Sequence, residues 1–127
     1  MRAMGIDYGS KRVGIAVSDE TKQMAFPHSV LQNSPDLLLS VIELARSQGV
    51  DEIVLGESRD FAGMANPIMR PIIRFKDALE EGTGITVAME PELFTTMQAE
   101  RLQGKHDKID ASAAALILQS YLDKRDT

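Results

Sequence analysis

The stretch MGIDYGSKRVGIAVSD at residues 4–19 decides the architecture. Two short apolar runs, AMGIDY at 3–8 and VGIAVS at 13–18, flank Gly9, Ser10, Lys11 and Arg12, and that pattern reads as a β-hairpin. Asp7 is out of place there, because it interrupts an apolar strand. A carboxylate in that position loses hydration unless it is paired, binds a metal or sits at the strand's exposed end. An aspartate capping the hairpin turn is the plain alternative.

Beyond the hairpin, residues 23–31 supply a third strand that Pro27 restricts to an edge or an irregular pairing. Ser34-Pro35-Asp36 reads as an N-cap followed by proline at the first helical position. Leu37, Leu38, Val41, Ile42 and Ala45 then recur at helical spacing until Gly49. DEIVLG at 51–56 and ITVAM at 85–89 read as buried strands. Between them, Asn66-Pro67 or Arg70-Pro71 opens a helix that turns Ile72, Ile73, Phe75, Ala78 and Leu79 to a core, before Gly82 and Gly84 end it. Thr95 with Gln98 forms a capping box for a short helix to about Leu102, and residues 108–123 form a last helix rich in Ala and Leu. The expected fold is therefore α/β: a mixed five-stranded sheet, a three-strand antiparallel meander plus two parallel strands, with helices on both faces. The ribonuclease H-like fold has this order. At 127 residues the chain is expected to form one domain over 1–127.

Composition narrows the chemistry. Lys plus Arg is 14 against 19 for Asp plus Glu, a net charge of −5, which argues against a strongly basic nucleic-acid coat protein but leaves room for a local basic groove. With no cysteine there is no disulfide scaffold, no thiolate zinc site and no Cys nucleophile. Asp7 breaks any apolar leader near the amino terminus and no run reaches the length of a membrane span, so a cytoplasmic location without membrane partners is expected.

Carboxylates then recur where sites form in open α/β sheets. Asp107 and Asp110 stand at i and i+3 at the start of the last helix. Ala114, Ile117 and Tyr121 continue from Asp110 at helical steps, placing it on the buried stripe. An acidic N-cap is the competing reading. Glu57 ends the fourth strand, and Glu90 and Glu92 follow the fifth. Three or four carboxylates can thus converge at the carboxyl ends of adjacent strands. Such a cluster repels itself at neutral pH, and hard divalent cations relieve it; two ions about 4 Å apart suit phosphodiester hydrolysis. His28 and His106 are the only histidines, and both read as surface or loop residues, although His106, before Asp107, could assist proton transfer. Lys11, Arg12, Arg59, Arg70, Arg74, Lys76, Arg101 and Lys105 could line a phosphate-binding groove around the acidic centre, or form an ordinary solvated surface.

MGIDYGSKRVGIAVSD at 4–19 and KIDASAAALILQSYL at 108–122, with IVLG at 53–56 and FTTMQAERL at 94–102 in matching order, resemble the YqgF family, also called RuvX, the pre-16S rRNA nucleases related to RuvC Holliday-junction resolvases. The resemblance implies a ribonuclease H-like fold, a cytoplasmic enzyme and metal-dependent cleavage in maturing the 5′ end of 16S rRNA. It implies catalytic roles for Asp7 and Asp110. Two departures stand out. The family reads like G-L-P after the fourth strand, where this chain has Gly56-Glu57-Ser58. It reads D-E-R-L-T-T after the fifth, where this chain has Pro91-Glu92-Leu93-Phe94-Thr95-Thr96. Glu92 keeps the family's carboxylate position, while Glu57 resembles the fourth-strand glutamate of RuvC-type nucleases, and Asp107 before Asp110 resembles their paired acids.

The leading expectation is thus an endonuclease hydrolysing RNA phosphodiester bonds with two Mg²⁺ or Mn²⁺ ions. Asp7, Glu57, Glu92 and Asp110 are the catalytic candidates, and Asp7, Glu57, Asp107 and Asp110 the metal-ligand candidates. Lys11, Arg12, Arg59, Arg70, Arg74 and Lys105 would contact nucleic acid. The chemistry applied to a four-way DNA junction would need a symmetric dimer, and the sequence leaves monomer or homodimer open. A non-catalytic nucleic-acid-binding module is the reading from another class, favoured by the altered 91–93 segment. Actin-like phosphotransfer needs a second lobe that 127 residues do not supply.

Overall fold

Strands β1 (Arg2–Tyr8) and β2 (Arg12–Ser18) form the expected hairpin, paired antiparallel from Met4↔Val17 to Tyr8↔Val13. The computed structural model describes residues 1–9, 11–57, 69–91 and 106–125. Strand β3 (Ala25–Gln32) continues the meander at the sheet edge, and its register slips between Ile15 and Ala16 of β2, opposite Pro27. Proline lacks the N–H that a regular ladder needs, so the irregularity falls where the sequence places it. Helix α1 (Leu37–Ser47) follows, then strand β4 (Val50–Glu57), helix α2 (Met69–Thr83), strand β5 (Val87–Pro91) and helix α3 (His106–Arg125). The sheet order is β3-β2-β1-β4-β5, with β1, β4 and β5 mutually parallel. The short helix expected from Thr95 to Leu102 lies outside the described residues.

Alternation along β1 divides the core. Met4 and Ile6 point into a cluster with Val13, Ile15, Leu37, Val41, Ile72 and Leu79, beneath α1 and α2. Ala3 joins Ala16, Val54, Ala114, Ile117, Leu118 and Leu122 beneath α3, on the opposite face. Helices on both faces of a mixed sheet are thus observed. Gly5 is what allows α3 to come so close: a Cβ there would lie 2.7 Å from Leu118 Cβ and 2.8 Å from the Ala114 carbonyl oxygen.

Several boundaries differ from the sequence expectation. Asp36, not Ser34, is the N-cap of α1, without a side-chain cap bond. A backbone turn from the Leu37 amide to the Ser34 carbonyl (3.0 Å) keeps Pro35 ahead of the helix. Strand β5 starts two residues later than expected, because the Ile85 amide donates to Thr83 Oγ1 (3.1 Å) and is held at the helix end. Gly82 lies within α2, and Gly84, at φ +73°, follows the helix's last residue. Ile73, expected to face the core, is 48% exposed, whereas Ile72 is fully buried. His106 opens α3 rather than lying in the preceding loop.

Candidate active site

Asp7 is the next residue after Gly5 on the α3 face of β1, half-buried near the strand's carboxyl end. In the parallel pairing Ile6 stands opposite Leu55, so β1 and β4 finish at the same end of the sheet, Asp7 one residue and Glu57 two residues past that pair. Glu57 pairs in turn with Pro91, the last residue of β5, which Glu92 follows in sequence. Parallel pairing therefore brings to one sheet end the backbone positions that carry Asp7 and Glu57 and the position that precedes Glu92.

Helix α3 approaches the same end. Tyr121 donates to Glu52 Oε2 at 2.7 Å, and Glu52 pairs with Ala3 near the amino ends of β1 and β4. About two turns earlier, Ala114 crosses Gly5. Followed back to its amino terminus, the helix thus advances along β1 in the direction of Asp7, and the turn before Ala114 contains Asp110, with Asp107 before it. Asp107 and Asp110 both lie inside the helix, which begins two residues earlier than the sequence spacing suggests. Of Glu57, Asp107 and Asp110 the structure describes the backbone, and Glu92 lies outside the described residues. Among the described residues no group of three His, Asp or Glu side chains is close enough to hold a metal ion, and Asp7 is the one proposed ligand whose side chain is described.

Glu90 is not a residue following β5 but a member of it, with its side chain 5% exposed. Lys124 Nζ donates to its carboxylate at 2.7 and 3.1 Å, and Ser120 Oγ donates at 3.0 Å. These bonds compensate a buried charge that would otherwise be costly. They fasten the carboxyl-terminal half of α3 to β5, so Glu90 has a structural partner set of its own.

The basic candidates separate by location. Lys11 is exposed at the hairpin turn, and Arg12, half-buried, opens β2, both at the end of the hairpin that carries Asp7. Arg74 is exposed on α2, next to Phe75, whose ring meets that of Tyr8 at 5.3 Å between centroids. That contact places Arg74 at the same end of the sheet but in the helix layer opposite Asp7. Arg70 lies in the first turn of α2 by its backbone, and Arg59, Arg101 and Lys105 lie outside the described residues. The sequence reading passed over Asn33, whose side chain donates to the Gly9 carbonyl at 2.7 Å. Asn33 follows a strand like any turn residue, and only tertiary pairing of β2 with β3 carries it to the β1–β2 turn.

A sequence profile of the RuvX family, described as Holliday junction resolvase, matches residues 1–124. The chain belongs to the RuvX family. A RuvX relative from Caldanaerobacter subterraneus subsp. tengcongensis, named "Putative pre-16S rRNA nuclease", is 32% identical across 98% of each chain. One of the same name from Salinibacter ruber is 35% identical over 97% of this chain and 93% of its own. Among solved structures, RuvC of T. thermophilus in complex with a Holliday junction substrate superposes with a TM-score of 0.62 at 16% identity, covering 99% of this chain and 96% of that one. The fowlpox virus Holliday junction resolvase gives 0.63 at 14% identity, covering 98% and 99%. At such identities the likeness establishes the fold of this RuvX member, which is ribonuclease H-like.

Proposed function

We propose that this RuvX protein is a metal-dependent endonuclease that hydrolyses RNA phosphodiester bonds in the 5′-end maturation of pre-16S rRNA. The observation that carries the reading is the position of Asp7, at the carboxyl end of β1 on the face that α3 covers with its Asp107–Asp110 turn leading. The near full-length relatives that bear the pre-16S rRNA nuclease name support the substrate.

The donor set fits a hard divalent cation, since it offers carboxylate oxygens in a chain without cysteine. Asp7, Asp110 and Glu57 would hold Mg²⁺ or Mn²⁺, with Asp107 and Glu92 as further donors. When bound, such ions supply Lewis-acid activation of water and charge compensation at the leaving oxygen. The chain's own part is placement. Gly5 seats α3, the parallel β1–β4 pair aligns two donor positions, and Lys11 and Arg12 at the adjoining turn attract and orient the phosphate backbone. The protein is one catalytic domain over residues 1–127 in this reading, monomeric or homodimeric. A four-way DNA junction is the second substrate reading, favoured by the family's description as Holliday junction resolvase.

The test compares wild type with Asp7→Asn, in Mg²⁺ or Mn²⁺, on a transcript carrying the 16S 5′ leader and on a four-way DNA junction. Leader cleavage that falls by roughly a hundredfold or more in the variant is the expected result, because even outer-shell losses cost about 10–100-fold in metal sites. Junction cleavage alone would transfer the assignment to a resolvase. Binding without cleavage of either substrate would identify a nucleic-acid-binding module, with Pro91 and Leu93 as the decisive departures.

A further inference from the structure

We propose that Asn33 is a positioning residue that fixes the β1–β2 turn in the form that engages a nucleic-acid backbone. The inference rests on the reading of Lys11 and Arg12 as phosphate contacts. Asn33, half-buried, directly follows β3 and reaches the turn twice. Its Nδ2 donates to the Gly9 carbonyl at 2.7 Å, and its backbone N–H donates to the Lys11 carbonyl at 2.9 Å. One residue, distant by 24 positions in sequence from Gly9, therefore ties both Gly9 and Lys11. Gly9 and Arg12 approach closely across the turn, since a Cβ on Gly9 would stand 2.5 Å from the Arg12 carbonyl oxygen.

The physical consequence concerns binding rather than fold. A hairpin turn that carries cations and is free to move must be ordered when it meets a phosphate, and that ordering subtracts from affinity. The two Asn33 bonds do the ordering in advance. The amide side chain suits the task, since its NH₂ can donate to a carbonyl, which neither a carboxylate nor an alkyl group can do. Substitution of Asn33 removes the Nδ2 bond and leaves the backbone bond to Lys11, so the hairpin persists while the Gly9 end of the turn is released.

Affinities for the leader transcript and the four-way junction, measured across a salt series in the uncleaving Asp7→Asn background, test this. Three further changes are compared: Asn33→Ala, Asn33→Leu, which keeps the volume without a donor, and the pair Lys11→Ala with Arg12→Ala. Both Asn33 variants should bind about three- to tenfold more weakly. Their plots of log affinity against log salt should flatten by about one phosphate contact, and amide exchange at Gly9, Lys11 and Arg12 should quicken. A purely structural role would lower the melting temperature without changing the salt slope. Affinity and slope equal to those of the parent in both Asn33 variants, while the basic pair variant binds weakly, would overturn the positioning role alone. An unchanged slope in the basic pair variant would instead overturn the phosphate-contact reading and this inference with it.

Discussion

Gly5 shows how much one hydrogen atom in place of a methyl group decides. The Cβ of an alanine there would lie 2.7 Å from Leu118 Cβ and 2.8 Å from the Ala114 carbonyl oxygen, neither a flexible side-chain end. Gly5→Ala is therefore expected to lose about 1–3 kcal/mol of stability, read from the urea midpoint, because helix and strand must separate. Asp7, two positions on, is conspicuous in sequence as a charge in an apolar run, whereas Gly5 looks like any glycine in a strand. The difference is that Asp7 is conspicuous against its sequence neighbours, whereas Gly5 is required by a helix more than 100 residues away. Glu90 is the converse case: in sequence one of several acids near the strand ends, it is buried and bound to Ser120 and Lys124.

Helix α2 displays the same division at the scale of an element. Periodicity identifies the helix, but Ile72 and Ile73 are neighbours, and spacing alone counts both as core. The structure buries Ile72 completely and leaves Ile73 48% exposed. Ile72→Ala should cost about 2–5 kcal/mol through the cavity it leaves, and Ile73→Ser less than about 0.5 kcal/mol, both measurable by chemical denaturation. The end of α2 is fastened to β5 through Glu80, whose carboxylate accepts from the Val87 amide at 2.8 Å and pairs with Lys76 at 3.3 Å. The Val87 N–H, with Lys76 beside it, holds the Glu80 carboxyl below its ordinary value of 4.5. A carboxyl lowered in the folded state stabilises above its unfolded value, and that contribution disappears as pH falls through the folded value. Stability should thus decline on acidification below pH 4.5, and Glu80→Gln, which does not titrate, should show a shallower decline in melting temperature.

At the scale of the whole molecule, an acidic protein with a net charge of −5 is proposed to gather further acids at one sheet end, beside a turn that carries Lys11 and Arg12. Ions that bind the native state selectively stabilise it by mass action. Millimolar Mg²⁺ or Mn²⁺ should therefore raise the melting temperature of the wild type, and Asp7→Asn should blunt that rise; equal curves with and without metal in the wild type would remove the carboxylate-cluster reading. No described helix is long and apolar enough to cross a membrane. The hairpin, the order of the described strands and helices, and the prominence of Asp7 and Asp110 were legible in the amino-acid sequence, because periodicity, turn residues and a charge among apolar neighbours are local properties of the chain. The choice of the core isoleucine in α2, the burial of Glu90 as an anchor and the reach of Asn33 to the β1–β2 turn came instead from the tertiary fold. These depend on which segments meet across the sheet, and contacts between residues distant in sequence leave no local pattern to read.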